Sequence, residues 1–166
     1  MKHIYKSKLI SCIISTLIII FSSYPLGAAA KTSISTDHKE VLTQFVQETR
    51  TAENRTFQLA QLVIDSPPED MNTFIKTLNQ VNSEVDSLRS RMTNYLDTVP
   101  TISIENRDIL LLLTAINYTK TALFDLASLS RADNTVDRTI LLEEFFKARS
   151  SATNTLNAAE ALLSQY

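Results

Sequence analysis

The stretch MNTFIKTLNQVNSEVDSLRSRMTNYLDTV, residues 71–99, decides the fold. Its apolar positions Met71, Phe74, Leu78, Val81, Val85, Leu88, Met92, Tyr95 and Val99 recur in unbroken alternating steps of three and four, the stripe of a helix with about 3.6 residues per turn. A strand would need period two and a much shorter run. The pattern predicts a helix over residues 67–98.

The same spacing appears on both sides. Upstream, Leu42, Phe45, Thr49, Ala52, Thr56, Leu59 and Val63 predict a helix over 37–65. Downstream, Ile109, Leu112, Ile116, Thr119, Leu123 and Leu126 predict one over 103–131. A fourth, over 135–165, carries Leu141, Phe145, Ala148, Ala152, Thr155, Ala159, Leu162 and the adjoining Tyr166. All four segments are rich in Thr and Asn, which are poor helix formers, so stability must come from packing the stripes together.

Boundary residues agree with this division. Ser66-Pro67-Pro68-Glu69 reads as a capping box with proline at the first helical position. Thr101 or Ser103 is placed to cap the third helix, with Glu105 and Asp108 near its positive end, and Asn134 or Thr135, with Asp137, does the same for the fourth. Short connections force neighbouring helices to run in opposite directions. The predicted fold is therefore all-α, an up-down-up-down antiparallel four-helix bundle over residues 31–166.

What is missing supports the same class. The single glycine, Gly27, and the single cysteine, Cys12, both precede the first stripe. A β-rich or dinucleotide-binding domain would need glycines at turns and phosphate loops. Without cysteine in residues 31–166 there is no disulfide, thiolate nucleophile or cysteine-ligated metal to expect there.

Residues 1–30 read as a signal peptide. Lys2, Lys6 and Lys8 form a basic region, Leu9 to Phe21 are almost wholly apolar, and Ala28-Ala29-Ala30 supply a small-residue cleavage site. The apolar run falls short of the roughly 20 residues that cross a bilayer, which disfavours the competing reading of an uncleaved anchor. Leu9-Ile10-Ser11-Cys12 resembles a lipobox, but the apolar run follows the cysteine instead of preceding it. The expectation is an exported protein, secreted or otherwise extracytoplasmic, beginning near Lys31. Removing three lysines from the 16 Lys and Arg leaves 13 against 18 Asp and Glu, a net charge of −5. That balance disfavours nucleic acid or an anionic membrane as the partner.

A search for reactive chemistry yields little. His38, the sole histidine after residue 30, opens the first helix and reads as solvent-facing. No Glu-x-x-His pair for a di-iron site and no C-x-x-C-H for haem occurs, so no metal or cofactor is expected. Glu143-Glu144 beside Lys147, Glu84 with Asp86, and Glu69-Asp70 read as solvated helix faces, as do Arg89 and Arg91. No glycine permits a nucleophile elbow. Two glycosylation-type triplets, at Asn54 and Asn117, fall inside predicted helices.

Two features point to contact or ligand binding. Ile109-Leu110-Leu111-Leu112-Leu113 covers every direction around a helix, so an amphipathic surface helix does not account for it. With Leu96, Ile102, Ile104 and Tyr166 it makes one pole of the bundle apolar. Leu96, Ile102, Ile104, Leu110, Leu111, Leu113 and Tyr166 are the candidate docking patch for another protein or a second copy. At mid-bundle, small residues leave room either for close helix approach or for a pocket. Ala52, Thr56, Val85, Leu88, Ile116, Thr119 and Ala152 would line that pocket. The expected function is thus a non-enzymatic exported module acting by protein contact. The alternatives are an apolar-ligand carrier or an enzyme using only carboxylates.

Overall fold

A computed structural model describes residues 36–64 and 68–164, so the proposed signal and Tyr166 lie outside the described residues. Among the described residues there are four helices and no strand: α1 (Thr36–Gln61), α2 (Met71–Leu96), α3 (Ile104–Leu129) and α4 (Thr135–Leu163). The predicted stripes are their buried faces. All seven stripe positions of α1 and all six of α3 are buried, and on α2 the run Phe74, Leu78, Val81, Val85, Leu88 and Met92 is buried without interruption.

Cross-helix contacts fix directions. Glu48 pairs with Arg91 and Arg55 with Glu84, so numbering rises along α1 as it falls along α2, and the two run antiparallel. Arg50 reaches Asn157 and Glu160, each at 2.8 Å, while Arg149 lies 4.1 Å over the Phe57 ring, which sets α1 and α4 antiparallel as well. α1 touches all three other helices, and α3 does the same. No Cα of α2 comes within 8 Å of one in α4. The cross-section is a rhombus with α1 and α3 on its short diagonal.

That arrangement explains why α3 is so apolar. Facing three neighbours, it buries Ala115, Ala122 and Leu129 in addition to its predicted stripe. It is long and apolar enough to cross a membrane by length and composition, yet half of that window is buried inside the bundle, as in any core helix. Among the described residues the most extensive helix contact is between α3 and α4. Buried alanines at 115 and 122 on one helix and at 148, 152 and 159 on the other let the backbones approach.

Buried threonines satisfy themselves. Thr49, Thr56 and Thr119 donate their hydroxyls to the carbonyls of Phe45, Ala52 and Ala115 at 2.7, 2.9 and 3.0 Å, each one turn back. No partner in another helix is then needed, and the methyl group is left for the core.

Two of the helix starts follow the sequence, whereas the start of α2 and the end of α1 depart from it. Ser103 Oγ accepts the Asn106 N–H at 3.0 Å and Asn134 Oδ1 accepts that of Asp137 at 2.9 Å. α2, however, begins at Met71, with Asp70 as its cap, instead of at residue 67. The Asp70 carboxylate accepts both the Thr73 N–H and the Thr73 hydroxyl, at 3.0 and 2.7 Å, a fuller cap than a serine hydroxyl offers. α1 ends at Gln61 instead of 65 and closes in tightened turns, with the Leu62 and Val63 amides bonded to the carbonyls of Leu59 and Ala60. The caps after α2, α3 and α4 all keep right-handed backbone, and no described residue has positive φ. The helices therefore end without glycine.

Arg138 draws one pole together. From α4 its guanidinium donates to the carbonyls of Leu129, at 3.1 Å, Val63, at 2.5 Å, and Ile64, at 3.5 Å. It thereby ties the C-terminal carbonyl of α3, which also accepts the Ala132 N–H at 3.3 Å, to carbonyls just past the end of α1.

Candidate functional site

The predicted docking patch is not a single exposed surface. Ile102 is 98% exposed in the α2–α3 connection and Leu110 is 48% exposed, whereas Leu96, Leu111 and Leu113 are half-buried against the core, and Ile104 is half-buried. Ile109 and Leu112, in the same run, are fully buried. Five consecutive apolar residues are used up largely by the three neighbours of α3.

Nor is that pole purely apolar. His38, read from sequence as solvent-facing, is only 2% exposed. Its Nδ1 lies 2.8 Å from the Tyr95 hydroxyl, and the two rings stack at 5.7 Å. Burial lowers the His38 pKa, while Glu105, Asp108 and Asp37 pull it back up. Asp108, read from sequence as a carboxylate near the positive end of α3, is wholly buried and accepts two bonds from the Arg107 guanidinium at 3.0 and 2.8 Å.

All seven predicted pocket residues are buried. Ala52, Val85, Leu88 and Ile116 belong to the contiguous apolar core. Ala52 and Leu88 also line a surface cleft of about 310 Å³ between α1 and α2, together with Glu48, Thr51, Glu84, Ser87 and Arg91. The ion pairs Glu48–Arg91 and Arg55–Glu84 cross the same groove. Arg91 also lies over the Phe45 ring, at 5.9 Å. Of the other acidic residues read as solvated, Asp86 pairs with Lys120 and Glu143 with Lys147, all on the surface.

Exposed apolar side chains are unevenly placed. Among the described residues, Leu110, Tyr118 and Phe124 on α3 and Val136, Ile140 and Phe146 on α4 are all at least 39% exposed, with Phe124 at 71%. The other two large apolar side chains so exposed, Leu62 and Ile102, lie in connections. The outer faces of α1 and α2 carry none.

Sequence reasoning also missed the two seams on which α4 sits. Along α1 a second series, Val46, Arg50, Glu53, Phe57 and Ala60, lies on the α4 side, and along α3 a second series runs Leu111, Ala115, Tyr118, Ala122, Asp125 and Leu129. Each places one carboxylate in an otherwise mostly apolar line. That is the signal that could have found them. Glu53 is 6% exposed, 3.5 Å from Arg50 and 3.4 Å from the Thr153 hydroxyl. Asp125 is 4% exposed, and its Oδ2 is buried with no hydrogen-bond partner. Burial raises the pKa of both. For Glu53 the guanidinium of Arg50 opposes the rise, whereas for Asp125 the nearby Glu144 adds to it.

Comparison with protein-family models, with curated proteins and with solved structures finds no match for this chain.

Proposed function

We propose that the chain is exported behind residues 1–30, folds from Lys31 as an up-down-up-down antiparallel bundle, and works by contact with another protein or a second copy of itself, without catalysis, nucleic acid or membrane insertion. The observation that carries this reading is the concentration of exposed apolar side chains on the α3–α4 hairpin. Sequence alone put the contact at the α2–α3 pole; the exposure of Phe124, Val136 and Ile140 supports a centre farther along the hairpin.

A double variant, Phe124→Ser with Ile140→Ser, tests it, because both side chains point outward and their loss leaves the core intact. Light scattering and affinity capture from the protein's native extracytoplasmic fluid should show self-association or a partner with the unaltered chain and neither with the variant, at equal helicity by circular dichroism. Equal recovery by both would defeat the contact reading. N-terminal sequencing of the exported protein should begin at Lys31.

A further inference from the structure

We infer that Asp125 and Glu144, on the α3–α4 seam, form the receptor for one cationic side chain, an arginine or lysine presented by the protein that docks on this hairpin. The inference rests on the contact reading above and supplies the chemistry of the partner.

A buried carboxylate is costly unless a cation or several donors face it. The chain meets that requirement in part at its other α4 seam, where Arg50 and the Thr153 hydroxyl face one oxygen of Glu53 while the other is buried without a hydrogen bond. At the α3 seam it does not. Among the described residues no Lys, Arg or His nitrogen forms an ion pair with Asp125 or Glu144, and the second carboxylate only adds like charge.

Cations nearby on the same two helices are engaged elsewhere. Lys120 pairs with Asp86 of α2, Lys147 bonds Glu143 and acts on Glu144 only through space, Arg149 covers Phe57 of α1, and Arg138 holds main-chain carbonyls. What is missing from this seam is therefore one positive charge, and an arginine or lysine side chain would supply it with its donors attached.

The surroundings suit a side chain better than a free ion. Tyr118 lies two turns before Asp125 on the same line of α3, and Ile140 one turn before Glu144 on α4; both are exposed, at 39% and 51%. They offer apolar surface to the methylene stem of an arginine or lysine whose head meets the carboxylates. No third acidic, histidine or cysteine side chain joins the pair among the described residues, so the arrangement lacks the oxygen count that a divalent ion takes. The net charge of −5 for residues 31–166 draws a basic partner toward the surface as a whole.

The test is carboxyl carbon NMR on the full chain, titrated with n-butylguanidinium chloride, with its neutral isostere n-butylurea and with calcium chloride. The expected result is a saturable shift of the Asp125 and Glu144 carboxyl signals with butylguanidinium, with neither butylurea nor calcium producing it. Asp125→Asn and Glu144→Gln should each weaken that response at least about fivefold, while Asn79→Ala, on the exposed face of α2, leaves it unchanged. An unshifted Asp125 signal, an equal response to butylurea, or saturation by calcium overturns the inference, and the first of these needs no variant that could misfold. If the carboxylates stay silent while Phe124→Ser and Ile140→Ser still abolish capture, the cation receptor falls and the contact face stands. If the carboxylates respond but capture is unaffected, the contact reading falls instead.

Discussion

His38 and Tyr95, 57 residues apart in sequence, are joined by a 2.8 Å contact between the imidazole Nδ1 and the phenol oxygen, which ties the start of α1 to the end of α2. Burial favours the neutral imidazole, so the folded-state pKa lies below the ordinary 6.5 despite the pull of Glu105, Asp108 and Asp37. A lowered histidine pKa contributes stability that is present above the unfolded value and is lost as pH falls through the folded one. The urea midpoint should therefore decline as pH drops below about 6.5, and His38→Gln should flatten that decline. An unchanged slope in the variant would place the acid sensitivity elsewhere.

Tyr95→Phe removes only the hydroxyl. It should cost about 1 kcal/mol at neutral pH by urea denaturation, with ring packing against Phe45 preserved. A double-mutant cycle with His38→Gln should show that the two losses do not add, since both delete one bond.

Arg138 holds carbonyls from two helix ends at once. Arg138→Met keeps most of the stem and removes every donor, taking this partner from Val63 and leaving Leu129 with its turn bond to Ala132, and should cost about 1–2 kcal/mol. Arg138→Lys should recover only part of that, because a point charge cannot fork between Leu129 and Val63. Full recovery by lysine would mean that charge at this pole matters more than geometry.

Asp125 predicts the opposite sign. Its carboxyl pKa is raised, so its favourable contribution is present at acid pH and is lost as pH rises through the folded value. Asp125→Asn should raise the urea midpoint at neutral pH, and the difference should vanish as the buffer approaches the ordinary carboxylate range near 3.8. A lower midpoint at neutral pH would show that the charged form has a counter-ion in solution.

Leu110 and Leu112, two residues apart, are 48% and 0% exposed. Leu110→Asp should leave the melting transition nearly unmoved, while Leu112→Asp should abolish cooperative unfolding by burying an uncompensated charge. The half-buried Leu111 should fall between them.

The helical stripes were legible because each is a local pattern: the period through Leu42, Phe45 and Thr49 or Ile109, Leu112 and Ile116 needs no knowledge of the partner helix. Two caps were legible to within a choice of two residues, Thr101 or Ser103 and Asn134 or Thr135, and the bonds fall to Ser103 and Asn134. At α2 the capping box read at Ser66 came too early, because the carboxylate of Asp70, read as a solvated side chain, satisfies both donors of Thr73. What could not be read is what depends on neighbours. A histidine beside Asp37 and Lys39 looks solvated until Tyr95 arrives from 57 residues away, and the Leu110–Leu113 run looks like a patch until α3 acquires three packing partners. The second seams, with Glu53 and Asp125 inside them, were hidden because one stripe per helix already accounts for a bundle in which each helix meets two neighbours. Here α1 and α3 meet three.

Because α2 never approaches α4, its departure would leave α1, α3 and α4 in mutual contact, a three-helix remainder with every surviving interface whole. Such a partly open species should be the first excursion from the native state, visible as faster amide exchange along Val81 to Met92 than along Leu112 to Leu126. It would bare the inner surfaces of Val85 and Leu88 for as long as the excursion lasts. A protease would then meet this chain first at its second helix.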